Sequence, residues 1–261
     1  MRSREGKTME YDFQRASLMK RIPAWLLDII LLITLATGLM AGMSYLLDID
    51  SHSKALDDVY TRYEQEFDIE FGVTTEQMQQ MKEEELAKYE AASEALSKDT
   101  EAQKAFEMML NMTLLTMAVG ILGAFLLLEF LVPLWLKNGQ TLGKKCFGIA
   151  LMRKDGIKVT PFMMFARTIL GKYTVETMIP LLMLVMLFFG FMGFEGLLLA
   201  GGLLLAQIII PIATRNKTAI HDLMACTVAV DLASQMIFDS VEAMEEYHAE
   251  IHVEKAFEEQ K

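Results

Sequence analysis

Two carboxylates lie inside stretches of sequence that are apolar enough to cross a lipid bilayer. Asp28 interrupts the run over residues 24–47, and Glu129 interrupts the run over residues 114–136. A charged group at the centre of a membrane helix costs roughly 2.5–3.5 kcal/mol, so it is expected to face the interior of a helix bundle and to have a partner there. Because neither run contains a basic residue, the partner is a base just before the first run, a base from another segment, a proton or a bound cation.

The apolar runs predict four membrane spans. Hydrophobic residues make up 53% of the chain, and three apolar stretches exceed the roughly 18 residues that indicate a membrane helix. As a single helix, residues 178–213 would be about 54 Å long, against a hydrocarbon core of about 30 Å. Glycines within residues 190–196 favour a break there, so we expect two short spans joined at that point. The predicted fold class is all-α, a polytopic membrane bundle of four transmembrane helices.

The distribution of charge predicts the orientation of these spans. Residues 48–107 hold seventeen acids and six bases, whereas residues 137–172 hold eight bases and one acid, and residues 1–21 hold six bases and three acids. Short segments rich in lysine and arginine stay in the cytoplasm. We therefore expect both termini and residues 137–172 inside the cell and residues 48–107 outside. A hairpin over the last apolar stretch also returns Arg215 and Lys217 to the cytoplasm.

Two polar segments accompany the membrane region. Residues 53–107 have a composition typical of helices, with a break near Gly72 and the threonines that follow it. Residues 232–257 place apolar side chains near one face among many acids, which predicts an amphipathic cytoplasmic helix. The predicted organisation is an N-terminus with the first span (1–47), an acidic extracytoplasmic helical insertion (48–110), the membrane region (111–230) and an acidic helical tail (231–261).

Charged residues cluster at the predicted cytoplasmic boundary. Arg21 and Asp28 are seven residues apart, which places them on one face of a helix. Glu129 lies eight residues before the lysine that follows its apolar run, so the two carboxylates can share a level in the bundle. The segment AIHDLMACTVAV is too short to span a membrane and brings His221 and Asp222 to the same boundary.

The loop after the second span carries further polar candidates. Residues 138–156 contain glycines that permit tight turns, and Lys144 and Lys145 can reach lipid phosphates from there. The later part of this segment alternates weakly in polarity, which is typical of a short hairpin or an extended piece. Residues 161–172 are expected to form an interfacial helix that carries Arg167, and this arginine is expected to pair an acid or a lipid phosphate rather than a substrate.

Four of these motifs occur in an order that resembles a known family. RIPAWLLD, GQTLGKKCFGI with a following KDG, Arg167 in FARTIL, and AIHDLMACTVAV together are similar to the RDD family of bacterial multi-pass membrane proteins. The family is named for one arginine and two aspartates, which fall here on Arg21, Asp28 and Asp222. The resemblance covers the first span and about residues 110–230. It implies a protein of the bacterial cell membrane, and for some members monovalent cation/proton exchange has been proposed.

Each charged group also has a structural interpretation. Asp28 with Arg21 is either an ion pair or part of an ion or proton site. Glu129 either shares a proton with Asp28 and holds a cation, or serves only the packing of the bundle. His221 and Asp222 either join this charge network or cap and anchor the end of a helix.

No enzyme activity, cofactor or nucleic acid is expected from the sequence. The membrane segments contain no set of nucleophile, base and orienting group. Two distant cysteines without a nearby pair of histidines do not form a zinc site, and no basic patch exceeds what the orientation in the membrane explains. We therefore predict no catalytic residues, no metal and no cofactor.

Three functions fit these observations. The first is antiport of Na⁺ or K⁺ against H⁺, with Asp28 and Glu129 as titrating ligands and Arg21 and Asp222 as a gate pair. Four spans leave little room for a water-lined path, so this function predicts a homo-oligomer. The second is a membrane scaffold whose acidic insertion binds a protein partner. The third, a lipid-binding protein, ranks last because the bases near the head groups are already explained by the positive-inside rule.

Overall fold

The structure is a computed structural model that describes residues 14–136, 138–214 and 218–258. Part of the predicted orientation depends on bases that lie outside the described residues, namely those of residues 1–13, Lys137, Arg215 and Lys217. The described chain is largely helical, which confirms the all-α fold class. Its elements, in chain order, are α1 Leu18–Leu46, α2 Ile49–Phe67, α3 Thr75–Gln80, α4 Glu83–Lys98, α5 Thr100–Trp135, α6 Leu142–Cys146, β1 Ile149–Arg153, α7 Pro161–Phe188, α8 Phe194–Ala213, α9 Ile220–Met224, β2 Thr227–Asp231 and α10 Val241–Glu258.

Four of these helices, α1, α5, α7 and α8, are long and apolar enough to cross a membrane. This finding confirms the predicted number of spans. The third span begins at Pro161 rather than near residue 178, and the separate interfacial helix expected over residues 161–172 is the first half of α7. Thr160 caps this start by accepting a hydrogen bond from the backbone N–H of Met163, and proline suits the first helical position. The apolar run alone did not reveal the start because charged and hydroxyl-bearing residues interrupt residues 166–177.

The break expected between the last two spans is present. α7 and α8 are joined by residues 189–193, and Gly190 adopts a left-handed backbone conformation with φ 73°. Glycine takes this conformation without steric cost. The long apolar stretch therefore forms two helices, as its length predicted.

Two stretches of the membrane helices are π-helical. They cover Phe125–Leu131 in α5 and Ala166–Met178 in α7. In a π-helix the backbone N–H bonds to the carbonyl five residues earlier, an arrangement that is rare and occurs often at functional sites. The wider turn brings residues four or five positions apart onto one face, and Arg167, Lys172 and Glu176 have this spacing.

The strands β1 and β2 form a two-stranded antiparallel sheet. Ile149 of β1 lies opposite Asp231 of β2, and Arg153 lies opposite Thr227. The extended piece expected after residue 147 is thus a strand. Its partner comes from the far end of the membrane region, which the local pattern does not reveal. Apolar side chains of β1 are fully buried and pack with residues of α1 and α7.

The chain divides into two compact units. Residues 37–120 form one unit, and the described residues up to 36 together with those from 121 onward form the other. Within the unit of residues 37–120, α2 packs on α4, and the ring of Phe71 contacts the rings of Tyr60 and Tyr89. The helices expected in this acidic segment are therefore present.

The predicted break in the acidic segment is confirmed as well. Gly72 has φ 79°, and Thr74 then begins α3 as its cap. The Thr74 hydroxyl accepts from the backbone N–H of Gln77, whose side chain accepts in return from the backbone N–H of Thr74. This reciprocal arrangement satisfies two of the free donors at a helix start.

The C-terminal helix α10 begins later than the sequence pattern predicts. Residues 232–240 lie outside it, because the backbone of Phe238 accepts a hydrogen bond from Lys158 and donates one to Gly156. These bonds tie the segment to the turn after β1. The helix itself starts at Val241.

A buried network of charged side chains as the candidate functional site

Charged side chains from α1, α5, α6, α7 and α9 converge in the unit that contains the sheet. Arg167 and Asp222 are each only 2% exposed, Glu129 is 4% exposed and Asp28 is 9% exposed. A charge is buried to this extent only when it is paired or hydrogen-bonded. The partners of these four groups therefore define the site.

Asp28 of α1 is held by the start of α6. The Thr141 hydroxyl donates to Asp28 Oδ2 at 2.5 Å, and the Gly143 backbone N–H donates to Asp28 Oδ1 at 2.7 Å. The Nζ atom of Lys144 lies 3.7 Å from Oδ2. A Cβ atom at Gly143 would come within 2.2 Å of the carbonyl oxygen of Ala24, so only glycine permits this approach. The GQTLGKK motif thus brings the Gly143 backbone and the Lys144 side chain to the Asp28 carboxylate.

Lys144 points into the network. Its side chain is 13% exposed, and Nζ also donates to the Thr141 hydroxyl at 3.1 Å. Burial, together with the nearby charge of Lys172, lowers the pKa of the Lys144 ammonium to about 8, although Glu129 and Asp28 oppose the change. The expected contact of Lys144 with lipid phosphates is therefore replaced by a contact with Asp28. The neighbouring Lys145 is exposed, and its contact with lipid phosphates stays a prediction.

Glu129 is paired with Lys172. Lys172 Nζ lies 2.6 Å from Glu129 Oε2, and both residues belong to π-helical stretches. The hydroxyl of Thr168 donates to the backbone carbonyl of Glu129 at 2.9 Å, which ties α7 to α5. The sequence offered no reason to group Lys172 with Arg167, because residues five positions apart on an α-helix do not face the same side.

Arg167 is paired with Asp222. Arg167 Nε lies 2.8 Å from Asp222 Oδ1, and the Thr227 hydroxyl donates to the same oxygen at 3.0 Å. Burial opposes ionisation of this aspartate, but the guanidinium of Arg167 outweighs it and holds the pKa of Asp222 below its usual value. This contact agrees with the expectation that Arg167 pairs an acid. Arg167 Nη1 is buried and has no hydrogen-bond partner within the described residues.

His221 is paired with Glu176, which sequence reasoning missed. The ring Nδ1 lies 2.7 Å from one carboxylate oxygen of Glu176, and the backbone N–H of His221 donates to the other at 2.9 Å. Burial lowers the pKa of His221, so the neutral ring carries its proton on Nδ1 and donates it to the carboxylate. A Cβ atom at Gly171 would lie 2.6 Å from His221 Cβ, which shows how closely α9 approaches α7.

The structure corrects one expectation about the carboxylates. Asp28 and Glu129 were predicted as titrating ligands for a proton or a cation, whereas each already has a lysine beside it. Both bases come from segments other than α1, one of the alternatives that the sequence left open. Lys20, at the start of α1, bonds instead to Asp231 at 2.6 Å.

A cavity of about 680 Å³ opens beside the network. Its charged floor includes Arg21 and the four pairs Asp28–Lys144, Glu129–Lys172, Arg167–Asp222 and His221–Glu176. Most of its apolar wall comes from α1 and α8. Asp28 and Glu129 thus line the same cavity, as does Arg21. No group of three or more histidine, cysteine or acidic side chains placed to hold a metal ion is found within the described ranges.

Comparison with known proteins gives one match. A family model described as the RDD family matches residues 15–226. No curated protein and no solved structure matches the chain. The matched range contains every member of the buried charge network.

Proposed function

The chain belongs to the RDD family, and from that premise we propose that this multi-pass membrane protein exchanges Na⁺ or K⁺ for a proton at Asp28. Lys144 is the group that gives up the proton. This assignment refines the prediction that the two carboxylates themselves titrate. We also place the protein in the bacterial cell membrane with both termini in the cytoplasm, as the distribution of basic residues favours.

The observation that carries the proposal is the separation of Lys144 Nζ from Asp28 Oδ2. At 3.7 Å the ammonium compensates the carboxylate without a direct hydrogen bond, which requires roughly 3.2 Å or less. A small cation can replace an ammonium at this distance more readily than it can replace an ammonium that is hydrogen-bonded to the carboxylate. The carboxylate and the Thr141 hydroxyl beside it offer the oxygen ligands that hard cations prefer.

The chemistry of one exchange cycle conserves charge in the site. When Lys144 is protonated, its ammonium balances Asp28 and disfavours a second cation. When the proton leaves, the buried carboxylate is uncompensated and draws in one monovalent cation. One proton therefore leaves for each cation bound, and the pKa of about 8 places this step near physiological pH.

Glu129 and Lys172 have a supporting role in this proposal. Their bond of 2.6 Å fixes a positive charge in the network, and that charge is one of the causes of the low pKa of Lys144. Glu129, predicted as a second ion ligand, thus acts through Lys172. Arg167 and Asp222 hold α7 and α9 together below the site. Four spans leave little room for a water-lined path, so we retain the proposal of a homo-oligomer.

The proposal is tested by transport in vesicles that contain the full chain. A pH gradient is imposed, and Na⁺ or K⁺ is added on the side with fewer protons. Wild type is then expected to dissipate the gradient. Lys144→Arg keeps the positive charge but does not release a proton, because the guanidinium stays protonated, and it is expected to abolish exchange. Lys145→Arg, one position along and exposed, is the matched control and is expected to transport normally. Normal exchange by Lys144→Arg would overturn the proposal.

A second candidate is a membrane scaffold that transports nothing. It is favoured by the balance of the network, in which every buried carboxylate has a cationic or hydrogen-bonding partner, as a purely structural lock requires. The acidic insertion of residues 48–110 would then bind a protein partner. In that case Asp28→Asn and Glu129→Gln should lower the folded yield, with no dependence on ions, and crosslinking through the insertion should recover a partner.

A further inference from the structure

The cavity beside the charge network has a wall suited to lipid chains. It is bordered by Ile22, Trp25 and Ile33 of α1 and by Ile208 of α8. These four side chains are 58–61% exposed although they line the cavity. The wall is therefore open to the surroundings of α1 and α8, and around membrane helices those surroundings are lipid chains. We propose that the cavity binds one zwitterionic phospholipid, with its phosphate at Arg167 and its chains between α1 and α8.

The floor of the cavity contains a buried hydrogen-bond donor that lacks an acceptor in the part of the chain that the structure describes. Arg167 is almost fully buried and lines the cavity, and its Nη1 atom has no partner within the described residues. Buried donors are nearly always bonded, so one that is not indicates a missing ligand or water. A guanidinium that already bonds a carboxylate through Nε can bond a phosphate oxygen through its remaining N–H groups. A water molecule at Nη1 would satisfy the donor but would leave the apolar wall uncovered.

The charge balance selects the type of head group. Four acids line the cavity, and four bases line it as well: Asp28, Glu129, Glu176 and Asp222 against Arg21, Lys144, Arg167 and Lys172. With His221 neutral, the lining carries no net charge. An anionic head group would add an uncompensated charge to a poorly solvated site. A zwitterionic head group offers acceptor oxygens to Arg167 without a net charge.

The size of the cavity is compatible with part of a phospholipid. Its volume of about 680 Å³ lies within the roughly 300–1,000 Å³ of typical small-molecule sites. The head group and the first part of the chains fit inside, and the rest of the chains continue into the bilayer through the open wall. This inference does not depend on cation exchange, and its readout is bound lipid rather than transport.

The test measures lipid binding to the purified full chain in a maltoside detergent. Thermal stabilisation and native mass spectrometry are compared for phosphatidylethanolamine, phosphatidylglycerol and diacylglycerol. We expect one bound phosphatidylethanolamine and a rise in melting temperature, at least tenfold weaker binding of phosphatidylglycerol, and none of diacylglycerol. Equal effects of phosphatidylglycerol would overturn the assignment of a zwitterionic head group, and equal effects of diacylglycerol would overturn the role of Arg167.

A pair of wall variants locates the site without touching the charge network. Ile208→Trp fills the cavity and is expected to abolish binding of phosphatidylethanolamine. Ile209→Trp is the matched control, because Ile209 is 55% exposed on the same helix and is not among the described residues that line the cavity. Retained binding in Ile208→Trp, or equal loss in both variants, would overturn the proposal. Both variants change a side chain on the outer surface of α8, so both are expected to fold.

Discussion

The two compact units contain the same types of charged pair but bury them to very different extents. In the unit of residues 37–120, Arg62 bonds Asp99 and Glu101 at 3.1 and 3.0 Å, and the Arg62 side chain is half exposed. In the other unit, the side chains of Arg167 and Asp222 are 2% and 3% exposed. Exposed pairs contribute little because water solvates both charges. Breaking a buried pair leaves one charge without solvent or partner. We therefore expect the stability of the unit that contains Arg167 to depend on its charged pairs, and that of the unit of residues 37–120 to depend on them little.

The largest effect is expected from breaking the buried arginine pair. Arg167→Met leaves Asp222 uncompensated and should lower the free energy of unfolding by about 3–5 kcal/mol, measured by thermal or denaturant unfolding in detergent. Arg62→Met, in the acidic unit, is the control and should leave the melting temperature unchanged. The double variant Arg167→Met with Asp222→Leu should regain much of the loss. Equal effects of Arg167→Met and Arg62→Met would remove the contrast between the units.

The next effect concerns the backbone that holds Asp28. Gly143→Ala places a methyl group against the carbonyl oxygen of Ala24, and overpacking of this kind costs about 1–3 kcal/mol. The variant should also lose the bond from the Gly143 N–H to Asp28 and, with it, cation binding. Gly201→Ala on α8 is the control, because a Cβ there meets nothing within 4 Å. A melting temperature of Gly143→Ala equal to that of Gly201→Ala would show that α6 does not approach α1 so closely.

A pH titration sharpens the role of Lys144. Below the pKa of about 8 the ammonium is charged and competes with the cation, so the Kd for sodium should rise about tenfold for each unit that the pH falls. Above that pKa the amine is neutral and the Kd should be constant. In Lys144→Met the affinity should be high and independent of pH between 6 and 9, and added Na⁺ should stabilise the variant. An unchanged slope in Lys144→Met would assign the titration to another group.

The smallest effect is expected in the acidic unit. Thr74→Ala removes the cap of α3 and should destabilise that helix by about 1 kcal/mol, seen as faster amide hydrogen exchange in residues 75–80. Thr75→Ala is the control, since Thr74 rather than Thr75 provides the cap. Cation binding at Asp28 should be unaffected by either change. Equal exchange rates in the two variants would assign the start of α3 to another contact.

Much of the fold follows from the sequence, because membrane spans depend on length and hydrophobicity alone. The four spans, the break near residue 190 and the helices of the acidic segment follow from such local properties. A helix from residue 161 was predicted, but its continuation into the third span was missed because polar residues interrupt residues 166–177. The pairing of β1 with β2 was missed because it joins distant segments.

The candidate site was predicted in part. Asp28, Arg167 and Asp222 were recognised as charges in an unusual setting, and all three are buried in the network. Lys172 and Glu176 were missed because the π-helical turn that aligns them with Arg167 has no recognised sequence pattern. The inward direction of Lys144 depends on how α6 packs against α1, and packing between distant segments is decided by tertiary structure.

Proton release on cation binding tests the central claim most directly. Purified protein in a weakly buffered detergent solution at pH 7 receives saturating Na⁺ or K⁺, and a pH indicator reports the protons released. The account predicts close to one proton per cation bound for wild type and none for Lys144→Arg. Cation binding without proton release, or equal release from Lys144→Arg, would contradict it.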